Sequence, residues 1–409
     1  MKPRVVICGA GAAGLTAAIF AAQSGAEVTI LERTDKAGKK ILMSGGTRCN
    51  VLPVRMEYSD YATSSSPNRM KNVFKSWSLD RCHMWFRDEI GLEMDCETES
   101  NKWFPKSNSA KEVRDLLVKA ATDAGVKIEY KKNISRLDFE DGYWRISTED
   151  GGEICTDRVI IATGGLSVPT IGTDGKGHQV LRRTGVNHTD LFAALTPLTT
   201  KDPGLKSLAG ISLNVRMSVF INRKKAAEAN RSGFLFTHRG FSGPSVLDVS
   251  HYAVMQLDKN LPLPEFHVNW NGMSREEWEG LLSSEKGKVQ NLVGKQLPAR
   301  LAKLLCDRAG IGDENASELR KEKRKKLLKL LTEFPLPVDG HEGYRKAEVT
   351  GGGVPLERLD TSTLEVTDLP GLYLCGEILD VFGRIGGFNF YWAWVTGRLA
   401  GISAAKRPA

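Results

Sequence analysis

Three glycines near the start of the chain have a spacing that bears on chemistry. In Gly9-Ala10-Gly11-Ala12-Ala13-Gly14 the first glycine permits a tight turn, the second lets a diphosphate approach the backbone, and the third lets the following helix pack on its strand. The free N–H groups at that helix start then face an anion. Glu32 follows Gly14 by 18 residues, where a carboxylate accepts hydrogen bonds from a ribose diol. Together Gly9, Gly11, Gly14 and Glu32 predict a dinucleotide site.

Other residue types suit redox chemistry. Arg48, Cys49 and Asn50 end a Gly-rich basic loop, residues 38 to 50, where Arg48 could set positive charge beside a diphosphate or a reduced cofactor. A loop that simply wraps the ligand is the plainer reading. Cys49 has no resolving cysteine at disulfide-motif spacing, which argues against a redox thiol. Phe388, Asn389, Tyr391 and Trp392 follow Gly386-Gly387, where a helix N-terminus would stabilise charge that develops on reduction. Tyr391 is the proton-donor candidate there. His178 and His238 adjoin glycines and are acid or base candidates, with a structural loop role the stronger reading. No HExxH, Cys/His cluster, GxSxG or P-loop pattern occurs, so a metal site is not supported.

The elements that must position these groups follow from periodicity. Residues 4 to 8 (RVVIC) read as a buried strand, Leu15 to Ser24 as an Ala-rich helix stopped by Gly25, and 27 to 32 (EVTILE) as a second strand, a βαβ unit of about thirty residues. The uncharged run Val5 to Ala26 is explained by this unit and needs no signal peptide or membrane span. Residues 110 to 125 read as a helix, 158 to 162 as another buried strand, 371 to 375 as a further one and Trp392 to Ser403 as a closing helix. Between them the texture changes. Residues 211 to 221 and 232 to 237 are short and β-like, and 274 to 332 are helical and charged. We expect an α/β fold with one discontinuous domain: 1–190 and 338–409 as its two parts, with a β-rich insertion at 191–270 and a helical one at 271–337.

Composition bounds the rest. The 409 residues hold 41 glycines, about a tenth of the chain against a usual share of roughly 7 %. They concentrate in the two outer portions, at turns where a backbone must lie against a long ligand. Seven cysteines without a CxxC pair suggest a reduced, cytoplasmic protein. The formal charge is +8, and Arg320 to Lys329 is its main local source. With Leu319, Leu327, Leu328, Leu330 and Leu331 beside it, this run reads as the solvated face of a packed helix, so neither a nucleic-acid nor a membrane partner is expected.

Distant segments choose between dinucleotides. Residues 158 to 165 (RVIIATGG) and 371 to 377 (GLYLCGE) resemble the ATG strand and the closing strand of FAD-dependent reductases, with Glu377 where Asp is more usual. No second GxGxxG follows a strand, so a built-in NAD(P)H domain is not expected. Five blocks then resemble one family: 39 to 50 (KKILMSGGTRCN), 164 to 177, 233 to 244 (GFLFTHRGFSGP), 348 to 354 (EVTGGGV) and 371 to 394. They are similar to the signature blocks of the BaiN-type, aminoacetone-oxidase-like NAD(P)/FAD-dependent oxidoreductases. The resemblance implies a Rossmann-like FAD-binding domain interrupted by a β-barrel-like and a small helical domain. It implies FAD held by Gly9, Gly11, Ala13, Gly14, Glu32, Arg33, Lys40, Arg48, Cys49, Asn50, Ile134, Thr163, Gly164, Gly376, Glu377, Gly386, Gly387, Phe388 and Asn389. One departure stands out: SGGTRCN carries Thr47 where the family has glycine, which is costly if that residue needs positive φ.

The leading expectation is a flavoenzyme that takes hydride from NAD(P)H and passes it from the flavin N5 to an activated double bond, such as an enone, in a small organic acceptor. Tyr391, His238 and Arg48 are its catalytic candidates. The rivals are an oxidase of a small amine or amino-ketone that uses O₂, and an RNA-associated or redox-sensing flavoprotein.

Overall fold

The computed structural model describes residues 2–406, side chains 230 and 231 excepted. The chain forms two compact units. The first runs from the N-terminus to Ala193 and resumes at Glu348, and the second is Ala194–Ala347.

The first unit is α/β and Rossmann-like. Its five-stranded sheet runs in the order Leu372–Leu374, Arg158–Ile161, Arg4–Cys8 (β1), Glu27–Glu32 (β2) and Lys127–Tyr130. Every pairing is parallel. Central strands of a parallel sheet are covered on both faces, which is why RVVIC and RVII read as continuous apolar runs. Helix Ala12–Gln23 (α1) follows β1. Its alanines leave room for the C-terminal helix Phe388–Ala404 to lie directly upon it. There Gly397 and Gly401, one helical turn apart, ride on the backbone carbonyls of Ala13 and Ala17; a Cβ at either would strike them. The C-terminal helix begins at Phe388, four residues before the apolar pattern alone suggests, because Gly387 takes φ 91° and starts it. It is buried nearly all round.

The second unit carries a seven-stranded sheet in the order Phe334–Leu336, Glu265–Asn269, Ser212–Ile221, Lys224–Phe236, Gly240–Ser242, Leu198–Thr199 and Gly340–His341. Its pairings are antiparallel. Strand Lys224–Phe236 is longer than the 232–237 run predicted, since its first half alternates charged and small residues rather than large apolar ones. Helices Arg275–Ser284, Val289–Gly294, Ala299–Ala309 and Lys321–Thr332 pack beside the sheet. Phe234, Phe236 and Trp270 from the β part share one hydrophobic core with Trp278, Leu301, Leu327 and Leu331 from the helical part. The β-rich and helical segments expected at 191–270 and 271–337 thus lie within one unit. Where the chain leaves and re-enters the first unit, strands Phe192–Ala194 and Val349–Gly351 pair with each other.

Candidate functional site

The glycine turn has the geometry an anion needs. Gly9 ends β1 at φ 108° and packs on the Ala162 carbonyl, 2.6 Å from where a Cβ would stand. Gly14 abuts the Gly9 carbonyl oxygen, so the helix seats against the turn. Gly11 differs: a Cβ there would meet nothing within 4 Å. Gly11 caps α1 without a side-chain hydrogen bond, and the first turn holds no acid. The helix start therefore presents unpartnered N–H groups to open space, an anion cradle. Glu32 closes one side. One oxygen accepts from Ala10 N at 2.9 Å and the other from Thr34 N at 2.8 Å, which fixes the carboxylate and leaves further lone pairs for hydroxyl donors. Next to it, Arg33 pairs with Asp174 at 2.5 Å and donates to the Gly172 carbonyl.

A second cluster converges from four segments. Lys40, on helix Lys39–Met43, lies 2.5 Å from both Glu377 Oε2 and Ser167 Oγ. Ser167 Oγ and Thr350 N donate to Glu377 Oε1, and Thr350 Oγ1 accepts from Leu166 N and Ser167 N. Burial would raise the Glu377 carboxyl, but the Lys40 ammonium and these hydrogen bonds hold it below the usual carboxylate range. Gly165 lies against Thr350 and Glu377, and Gly376 against Ala13, with φ 78° and its N–H donated to Thr396 Oγ1. Gly164 has φ 72°, and Thr163 Oγ1 is buried without a partner. Nearby, His178 is buried with both ring nitrogens unpartnered. Burial and the neighbouring His188 lower it to about 4, against a small opposing effect of Glu377, so its ring is neutral near pH 7.

The loop before Asn50 is wound left-handed at Gly45, Gly46, Thr47 and Cys49. Thr47, at φ 72°, sits in the conformation where a β-branched residue is costly. Asn50 Oδ1 is buried, lacks a partner and lies beside Gly45. Burial pushes the Cys49 thiol up to about 12 despite a hydrogen bond with Ser44, so it is not a thiolate near neutral pH.

Several expected residues are otherwise engaged. Tyr391 is corrected from proton donor to core residue: its hydroxyl donates to the Trp77 carbonyl at 2.8 Å, its ring stacks on Phe74, and burial raises its phenol. Arg48 is committed elsewhere, paired with Glu97 at 2.8 Å, donating to Asn108 and lying 3.8 Å over the Phe104 ring. Asn389 clamps both backbone groups of Gly383, and the Phe388 carbonyl accepts from Tyr61. Ile134 is a core residue at the start of strand Ile134–Glu140. His238 is exposed on a turn of the second unit. Gly386 and Gly387 lead into the C-terminal helix at φ 122° and 91°.

Two residues that spacing did not single out belong with this group. A Cβ on Gly386 would stand 3.2 Å from Lys102 Cε, which puts that lysine at the start of the C-terminal helix. Glu348 keeps contact with solvent but is crowded by protein, and the loss of water raises its carboxyl while Lys40 and Lys102 oppose the rise. Lys102 stands alone in the sequence, whereas Glu348 opens the 348 to 354 block, whose glycines drew the reading away from its carboxyl. Among the described residues there is no His, Cys, Asp and Glu cluster fit for a metal, and no helix long and apolar enough to cross a membrane.

The uncapped helix start over open space, the fixed carboxylate of Glu32 and the orphaned Asn50 and Thr163 oxygens fit a bound dinucleotide. Comparison with known proteins agrees. A family model described as the HI0933-like protein Rossmann domain matches residues 3–403. The chain is 31% identical over 402 residues to a ribosomal RNA dihydrouridine synthase of Escherichia coli, a match covering 95% of this chain and 94% of that one. It is 30% identical over 416 residues to a 3-dehydro-bile acid delta(4,6)-reductase of Clostridium scindens, covering 99% and 100%. A solved structure of 3-ketosteroid delta1-dehydrogenase from Sterolibacterium denitrificans superposes with a TM-score of 0.53 at 14% identity, over 98% of this chain and 99% of that one. That likeness is one of fold.

Proposed function

This chain belongs to the HI0933-like family of Rossmann-domain, FAD-binding oxidoreductases, and from that premise we propose that it reduces a carbon–carbon double bond conjugated to a carbonyl, with NAD(P)H as transient electron donor. The observation that carries this reading is chemical. Two relatives at about 30% identity are named for substrates with unrelated skeletons, a uridine in RNA and a steroid acid. They share one bond type, since dihydrouridine is uridine saturated at a double bond conjugated to the ring carbonyl, and a delta(4,6)-reductase saturates a dienone.

Bound FAD supplies a hydride donor to such a bond. The chain's own residues would hold and orient it: the α1 N–H groups would receive the diphosphate, Glu32 would accept from the adenosine ribose, and the Lys40–Glu377 pair would meet the ribityl chain. The N-terminus of the C-terminal helix, with Lys102 beside Gly386, would favour negative charge on a ring bound against it. Saturating the bond also consumes a proton, and Glu348 is the carboxyl of this group that its surroundings hold toward the protonated form.

The test is anaerobic spectroscopy. The purified protein carries a yellow flavin that NADH or NADPH bleaches, and 2-cyclohexenone restores the oxidised spectrum. A protein without flavin, or one bleached by neither nucleotide, would sink the proposal. Peroxide release with small amines in air and no nucleotide consumption selects the oxidase instead.

A further inference from the structure

We propose that the second unit docks RNA through the basic face of helix Lys321–Thr332. The net charge of the molecule is not spread over it. Ala194–Ala347 holds 25 Lys and Arg against 17 Asp and Glu, while the rest of the chain balances 32 against 32, so the whole of the +8 resides in the insertion. Within the insertion the helix is the largest source. It packs through Leu327, Leu328 and Leu331, and the α-helical period turns Lys321, Lys325 and Lys329 outward as one stripe, each about 6 Å along from the last, with Lys326 alongside. All four are exposed, and none has an ion-pair partner among the described residues. Lys323, by contrast, is neutralised by Glu314.

The stripe borders an open groove of about 390 Å³ in which Arg275 joins Lys325, Lys326 and Lys329, opposed by Glu322 and Glu333. A stability role does not explain four unpaired like charges on one face, because their mutual repulsion destabilises the helix. A polyanion does: each cation that meets a phosphate releases a condensed counterion. Of polyanions, RNA is chosen because a relative of full-length similarity is named for acting on ribosomal RNA. The choice of partner rests on the double-bond reading above; the surface itself does not.

Fluorescence anisotropy of the FAD-loaded protein with a labelled RNA hairpin of about 30 nucleotides bearing loop uridines, between 50 and 200 mM KCl, tests it. We expect binding that the triple variant Lys325→Glu, Lys326→Glu, Lys329→Glu weakens at least about thirtyfold at 50 mM, with the salt slope reduced by about 2 to 3, near one per lost phosphate contact. A control triple in the first unit, Lys75→Glu, Lys119→Glu, Lys127→Glu, binds as the wild type does. The proposal is overturned by no binding at 50 mM KCl, by an unchanged basic-face triple, by equal loss in the control, or by equal affinity for a DNA hairpin of the same sequence. Cyclohexenone reduction, measured on the same samples, separates the two readings: turnover without RNA binding rejects only the docking face, and RNA binding without turnover rejects only the reductase.

Discussion

At the scale of single residues, the glycine turn and the loop before Asn50 make opposite demands. Gly11→Ala places a methyl in open space, so the apoprotein should lose no more than about 1 kcal/mol, while FAD retention on gel filtration falls sharply because the methyl occupies the approach of the diphosphate. Gly14→Ala drives its methyl into the Gly9 carbonyl and should lower the melting temperature of the apoprotein itself. Thr47 is the reverse case. A threonine at φ 72° costs on the order of 1–2 kcal/mol, partly offset by the greater freedom of glycine in the unfolded chain. Thr47→Gly should therefore stabilise by about 1 kcal/mol in urea denaturation. The possible cost at this position was readable from the family pattern; that φ is positive there was not.

At the scale of elements, the βαβ unit was legible because buried parallel strands and an Ala-rich helix leave different periods in the sequence. The C-terminal helix was legible as an element over Trp392 to Ser403, but its start at Phe388 and the orientation of its side chains were not. It is buried nearly all round, so it has no polar face to give its phase, and Tyr391 looked available when its hydroxyl was already spent on Trp77. Arg48 failed to declare itself for a related reason: its partners Glu97 and Phe104 lie far along the chain. The Gly397-x-x-x-Gly401 spacing was the available signal for helix contact. Gly397→Ala should destabilise by about 1–3 kcal/mol, against the gain of up to about 1 kcal/mol that alanine brings to an ordinary helix interior. His178, on helix Lys176–Arg183, sets a pH dependence. Its value falls from 6.5 to about 4 in the folded protein, so between those limits the unfolded chain binds more protons. The contribution of His178 to stability is complete above about pH 6.5 and declines as pH falls toward 4. Urea midpoints measured from pH 7 to 4.5 should show this decline, and His178→Gln should flatten it.

At the scale of the whole molecule, the insertion leaves and rejoins the first unit through paired strands, Phe192–Ala194 and Val349–Gly351. Neighbouring strands lie about 5 Å apart, so a short Gly-Ser turn can replace residues 195–346. We expect the shortened protein to fold cooperatively and retain FAD, read by its visible spectrum, because the sheet and the dinucleotide cluster lie in the first unit. The domain interruption was legible as a change of texture near residue 190. That one core joins the β and helical parts of the insertion was not, since Trp270, Trp278 and Leu331 meet only in space.

The same discontinuity sets an order of events during synthesis. Strand Arg158–Ile161 emerges with one side unpaired, and its neighbour Leu372–Leu374 follows 211 residues later. At elongation rates of roughly 5–20 residues per second, that interval is about 10–40 s. The insertion, contiguous in sequence, can complete its core while the body that precedes it waits with an open sheet edge. A nascent chain of this protein thus has a window in which strand Arg158–Ile161 has no partner on one side, and the segment after the insertion closes it.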